Sequence, residues 1–247
     1  MPDQSDPESR ATPAALAALR ARWTQALEAA RATTTTTAPS PAPPDPTPYA
    51  DNLLARYQEP QRRYHTLTHL TAVLDHIDVL EAEEARTPAP GLAPDLALVR
   101  LAAWFHDAVY APDRSENEER SARLAERALT EAGVSPAGTA EVARLVRLTL
   151  THDPAPDDRN GQVLCDADLA ILAAPEDTYA AYTAAVREEY AFVPDDAFRA
   201  GRAAVLRQLL ALPRLFRTPY GTERWEEPSR ANIAAELRRL EGDSGPI

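Results

Sequence analysis

From Leu96 to Phe105 the chain reads Leu-Ala-Leu-Val-Arg-Leu-Ala-Ala-Trp-Phe, with Arg100 its only charged residue. A helix that is apolar on nearly every side must be wrapped by other elements. The stretch from Asp95 to about Val109 therefore predicts a central buried helix, with the remaining chain packed around it. No segment shows the strict apolar/polar alternation and hairpin turns that mark strands. The expectation is an all-α fold, a single bundle of about nine or ten helices.

Apolar residues at helical spacing, punctuated by Pro and Gly, set out the other elements. Residues 1–13 read as a disordered tail, with Pro13 opening a helix to about Arg31 on Leu16, Leu19, Trp23 and Leu27. Residues 33–48, five threonines followed by a proline-rich run, read as a mobile insertion within one domain spanning 14–241. Further helices are expected over 49–57, 64–85, from a Ser115 capping box to about Ala132, from Ser135-Pro136 to about Thr151, over 163–173, from Pro175 to Tyr190, from an Asp195 cap to Leu212, and from Thr222 or Pro228 to Leu240. Residues 242–247 read as a second disordered tail.

Composition removes several classes of function. The net charge of −12 opposes non-specific nucleic-acid binding, which needs a basic footprint. The single cysteine, Cys165, excludes an intramolecular disulfide and any cysteine-based zinc cluster. All 26 basic residues are Arg, which removes Schiff-base catalysis by lysine. No apolar run reaches the ~18–20 residues that cross a bilayer, and the polar, acidic start does not resemble a signal peptide. A cytoplasmic location without membrane partners is the expectation; the oligomeric state is open, a homodimer included.

Three of the five histidines fall in two short stretches, Tyr64-His65-Thr66-Leu67-Thr68-His69 and Trp104-Phe105-His106-Asp107. On a helix beginning at Tyr64, His65, His69 and His76 lie within ~40° of one another. His76 is then ~10 Å along the axis from His69 and cannot share an ion with it. A carboxylate at a helix C-terminus opposes the helix dipole, so Asp107 calls for a nearby cation. With one acidic residue of Asp166-Ala167-Asp168, the residues His69, His106 and Asp107 make a mixed nitrogen and oxygen donor set. Such a set suits Mn, Fe, Co, Ni, Zn or Mg and leaves positions for water.

This ordered pattern resembles the HD superfamily of metal-dependent phosphohydrolases. Within it, the chain is similar to a small bacterial branch that combines the Tyr-His…His stretch, Trp-Phe-His-Asp-Ala-Val-Tyr, Asn-Glu-x-x-Ser-Ala, Asp-Ala-Asp-Leu, Arg-x-Glu-Tyr and Phe-Arg-x-Gly-Arg, over roughly residues 49–240. Cyclic-nucleotide phosphodiesterases are more distant relatives of that branch. The resemblance implies an HD-type helical domain, a divalent metal held by His69, His106, Asp107 and Asp168 (or Asp166), and catalytic roles for His65 and Asp107. His65 matches the histidine that protonates the leaving oxygen in the phosphodiesterases. The implied activity is hydrolysis of a small phosphorylated metabolite or nucleotide.

His152, Arg63, Arg187 and Arg202 are candidate substrate contacts, with Arg62 a further candidate phosphate clamp. His76, Tyr64 and Tyr110 read as packing residues, and Glu118 as part of the capping box. Two other functions fit the same residues: a metal-stabilised ligand-binding or regulatory module without turnover, and a di-iron oxygenase in which His65 and His152 serve a second ion.

Overall fold

The computed structural model describes residues 11–32, 42–86 and 94–242. All of the two expected tails except residues 11–13 and 242, most of the Thr/Pro-rich insertion and most of the loop after residue 86 lie outside these residues. Among the described residues the fold is all-α, with eleven α-helices, one more than expected, and no strand. They are α1 Pro13–Ala32, α2 Thr47–Arg56, α3 Leu67–Arg86, α4 Leu96–Phe105, α5 Asn117–Glu131, α6 Pro136–Leu148, α7 Arg159–Leu169, α8 Glu176–Glu189, α9 Asp195–Ala211, α10 Pro219–Arg224 and α11 Glu226–Glu241. A 3-10 turn, Ala170–Ala173, continues α7.

Helix α4 is the hub. It packs against α1, α3, α5, α6 and α7, and Val99, Leu101, Ala102, Ala103, Trp104 and Phe105 are fully buried. Its start is fixed by the Asp95 carboxylate, which accepts from the Leu98 N–H and so satisfies one of the orphan donors of the first turn. The Trp23 ring of α1 meets Trp104 and Phe105 edge-on, with centroids 5.5 and 5.8 Å apart. Its indole N–H donates to the Pro46 carbonyl at 3.0 Å. A second apolar cluster gathers Leu169, Leu172, Tyr179, Leu206, Leu215, Phe216 and Ile233, and Trp225 packs against both clusters.

Several expected boundaries move, each for a local reason. The helix expected from Tyr64 begins only at Leu67, because the backbone N–H groups of Arg63, Tyr64 and His65 all donate to the Glu189 carboxylate, at 2.8 to 2.9 Å. His65 therefore lies in a turn and not on a helical stripe with His69. Ser115 is not a cap: α5 has Glu116 at its N-cap position with no side-chain bond. The side chain of Asn117 instead braces the preceding turn through Ala111 N–H and the carbonyls of Ala111 and Arg114. Asp195 is the first residue of α9 behind Pro194 rather than its cap, and α7 starts early because Asp158 caps it through Gly161 N–H. The last expected helix is two, broken at Trp225, whose ring sits against His76, Phe216 and Tyr220. Gly133 carries a φ of 82° after α5, in the left-handed region that glycine adopts without strain.

Because α1 precedes the Thr/Pro-rich stretch, its docking can be measured on its own. Trp23→Ala should lower unfolding free energy by about 3–5 kcal/mol, the range for truncating a buried aromatic. Urea denaturation reads this; a loss under ~1 kcal/mol would mean that α1 is not an integral part of the core.

Candidate metal centre and its pocket

Three elements bring the central side chains together. His69 lies in the first turn of α3, His106 forms the C-cap of α4 with Asp107 next to it, and Asp168 lies in the last turn of α7. The two imidazole Nε2 atoms stand 3.0 Å apart. Asp107 Oδ2 is 3.1 Å from His106 Nε2 and 3.4 Å from His69 Nε2. Asp168 Oδ1 approaches the same atoms from 3.6 and 3.3 Å. His69, His106 and Asp168 each offer an atom within 4.8 Å of one another, so this buried group could hold a metal ion.

The protonation pattern fits that use. His106 Nδ1 is 2.7 Å from the Ala103 carbonyl oxygen. A carbonyl only accepts, so Nδ1 carries the hydrogen and the neutral ring presents its Nε2 lone pair inward. Burial alone would disfavour charge on every member. The imidazoles nevertheless hold Asp107 and Asp168 well below the usual carboxylate range, led by His106. The carboxylates in turn hold His69 and His106 above the ordinary histidine value. Two partly buried carboxylates beside two buried imidazoles need a compensating positive charge, and protons and a divalent ion compete for that position.

Asp166 and Asp168, two residues apart on α7, divide the work. Asp166 is fully buried and points away from the centre. It accepts from the N–H groups of Arg217 and Thr218 and from the Thr218 hydroxyl, at 2.6 to 3.1 Å. Burial pushes its carboxyl up to about 7 against the pull of those donors. Asp168 spends its second oxygen on His152 Nε2, 2.8 Å away. His152 sits in the left-handed region, at φ 50°, a conformation that costs a non-glycine residue energy unless its surroundings impose it. The neighbouring Asp153 is held by the Arg217 guanidinium at 2.5 Å.

Beside this group stands a second pair. Glu189, at the end of α8 and buried, receives His65 Nδ1 at 2.6 Å and the Tyr110 hydroxyl at 2.9 Å, besides its three backbone donors. Burial would raise its pKa, but the bonds from His65 and from the backbone bring it down to about 2. With Nδ1 committed to Glu189, the other nitrogen of His65 lies 4.0 Å from Asp107 Oδ2. His65 and the four residues of the cluster line a pocket of about 700 Å³, walled by Tyr64, Tyr110, Tyr182 and residues of α9, among others, with Glu189 behind His65.

Most of the expected arginine clamps are elsewhere. Arg63 is exposed and donates to the Pro60 and Arg62 carbonyls, with Glu188 3.7 Å away. Arg187 pairs with Asp195, donates to the Tyr190 and Val193 carbonyls, and lies over the Phe198 ring. Neither lines the pocket; both have acceptors of their own on the α8 side. Arg202 does line it, but Glu236 and the Tyr182 hydroxyl occupy its guanidinium. Arg62 is buried, salt-bridged to Glu59, and binds the carbonyls of His65, Asp107 and Ala108. The cation that Asp107's position at a helix end calls for is thus supplied at the backbone by Arg62. His76 Nδ1 faces the Ala167 carbonyl at 3.1 Å, away from the centre.

Glu189 is the glutamate of the Arg-x-Glu-Tyr motif, Arg187-Glu188-Glu189-Tyr190, a position to which the sequence assigns no role, because nothing local marks a carboxylate that gathers donors from residues 63–65. Because its folded-state pKa lies below the ordinary value, Glu189 adds stability that is fully present above pH ~4.5 and is lost as pH falls toward 2. Glu189→Gln should therefore cost roughly 2–3 kcal/mol at pH 7, with the gap to the parent closing in urea titrations near pH 3. The two aspartates separate by a different pair of readouts. Asp166→Ala should lower stability by about 2–3 kcal/mol and weaken Mn²⁺ binding by about tenfold, while Asp168→Ala abolishes uptake in the same calorimetric titration.

No protein-family model, curated protein or solved structure matches this chain.

Proposed function

We propose that the protein is a metal-dependent hydrolase of phosphate esters, of the HD type that its motifs resemble. The observation that carries this reading is the convergence of His69, His106 and Asp168, with Asp107 against both imidazoles and His65, backed by Glu189, in the same pocket. A purely structural metal site has no use for an oriented imidazole next to it. A divalent cation supplies Lewis acidity in such a site, lowering the pKa of water and offsetting charge on a phosphoryl oxygen.

The chain's own residues perform the rest. Asp107 receives the proton that the attacking water loses as its oxygen bonds to phosphorus. His65 delivers a proton from Nε2 to the leaving oxygen as that P–O bond breaks. Glu189 keeps the hydrogen on Nδ1 and fixes the orientation of the ring, as carboxylate partners of catalytic histidines do. His152 fixes the orientation of Asp168 through their bond of 2.8 Å. Tyr64 packs on both His65 and His69, at centroid distances of 4.9 Å, and limits their rotation.

The test compares the full chain with His106→Ala and Asp107→Ala on a panel of phosphomonoesters and phosphodiesters in Mn²⁺ and in Zn²⁺. Turnover by the parent should fall by about a hundredfold or more in either variant. Equal rates for all three proteins on every substrate would leave a metal-stabilised binding module as the better reading.

A further inference from the structure

A phosphoryl group fills only part of the pocket. At about 700 Å³ it can enclose a whole small organic molecule. Beyond the histidine and aspartate cluster, part of its wall is apolar, formed by Leu150, Leu169, Ile171, Val205, Leu209 and Leu212, and the rest is polar or aromatic. Leu150 and Val205 are 65% and 48% exposed, two of the four large apolar side chains left in water among the described residues. Finding half of that set on the rim of one pocket points to a ligand that covers them.

Several polar groups of the lining are committed to the protein itself, while the Ser115 and Gln208 side chains carry no hydrogen bond among the described residues. Thr149 and Thr151 donate their hydroxyls to the Val146 and Leu148 carbonyls. The Asn117 amide is taken up by its own turn. The charge balance is equally restrictive. Asp107, Glu118 and Asp168 line the space with two arginines, and Arg202 is occupied by Glu236 and Tyr182. Arg114 alone is exposed at the pocket with no ion pair among the described residues.

We propose that the pocket takes a phosphate ester with a single phosphoryl group on an apolar alkyl or aryl body. The phosphoryl group lies at the His/Asp cluster, within reach of Arg114, and the body lies along α9 and the 169–172 turn. This rests on the phosphoester reading above and narrows it. A di- or triphosphate would bring further negative charges past Glu118 with one guanidinium to meet them, where polyphosphate sites use several. A sugar laid along α9 and the 169–172 turn would set most of its hydroxyls against leucine, isoleucine and valine side chains that cannot bond them, with Gln208 the one amide there.

Methyl-, butyl- and octylphosphonate, whose P–C bond phosphoester hydrolysis does not cleave, are suitable probes. They are titrated calorimetrically into the full chain in Mn²⁺, with ATP for comparison. Affinity should rise about two- to fourfold per methylene, and octylphosphonate should bind more tightly than ATP. Leu150→Ser and Val205→Ser change exposed positions and should leave the melting temperature unaltered. Both should flatten the dependence on chain length while methylphosphonate binding stays the same. Equal affinity for the three phosphonates, or tighter binding of ATP than of octylphosphonate, overturns the inference even where phosphoesters are hydrolysed. Length-dependent binding with no turnover of any ester supports the inference and removes the hydrolase reading instead.

Discussion

Three backbone N–H groups, one imidazole and one phenol converge on the Glu189 carboxylate. An anion with that many donors can be buried at little net cost, because each lone pair lost to water is replaced. The consequences run in both directions along the chain. The donors at 63–65 are drawn out of helical geometry, so α3 starts late, and its first turn presents His69 to the cluster. The same carboxylate fixes the ring of His65 and anchors Tyr110, the residue that follows the His106–Asp107 segment by three positions. One side chain from α8 thus sets the relation between the two histidine-bearing stretches, which are far apart in sequence from it.

Arg62 does for the carbonyls what Glu189 does for the N–H groups. Its guanidinium reaches His65 on one side and Asp107 and Ala108 on the other. Carbonyls just past a helix end lack intrahelical donors, and a planar fork of five N–H groups can serve several at once. The turn before α3 and the turn after α4 are therefore clamped by one cation and one anion, both buried. The imidazole and carboxylate groups of the site project from backbone that has few ways to rearrange. Preorganisation of this kind holds the side chains in register before any ligand arrives.

The parts of this arrangement that were legible in the sequence are those governed by local rules. The apolar run 96–105 marks the central helix because burial on all sides requires such a composition. Ser135-Pro136 and Gly133 mark helix ends through their own backbone chemistry, and His76 is separated from His69 by helical rise alone. What was not legible depends on partners remote in sequence. Nothing near Tyr64 shows that Glu189 will take its N–H, so a helix is expected there and a turn is found. Asp166 and Asp168 are equivalent in composition, and only the Thr218 and Arg217 donors distinguish the buried strut from the cluster member. Arg63 and Arg187 have the right chemistry for a phosphate clamp, but nearby acceptors bind them outside the pocket. Arginine is a poor guide by type alone, since its five donors find carbonyls and carboxylates readily.

The two aspartates of α7 belong to a closed circuit. Asp166 grips the backbone at 217–218, the Arg217 side chain grips Asp153, and His152 beside it grips Asp168. Each bond restrains the next, so the orientation of Asp168 is inherited from a segment about fifty residues further on. A fragment that stopped short of α10 would keep His69, His106, Asp107 and Asp168 yet release His152 from its left-handed turn. The smallest piece of this chain able to hold the cluster in its observed form therefore reaches at least to Thr218, well past the last residue that touches it.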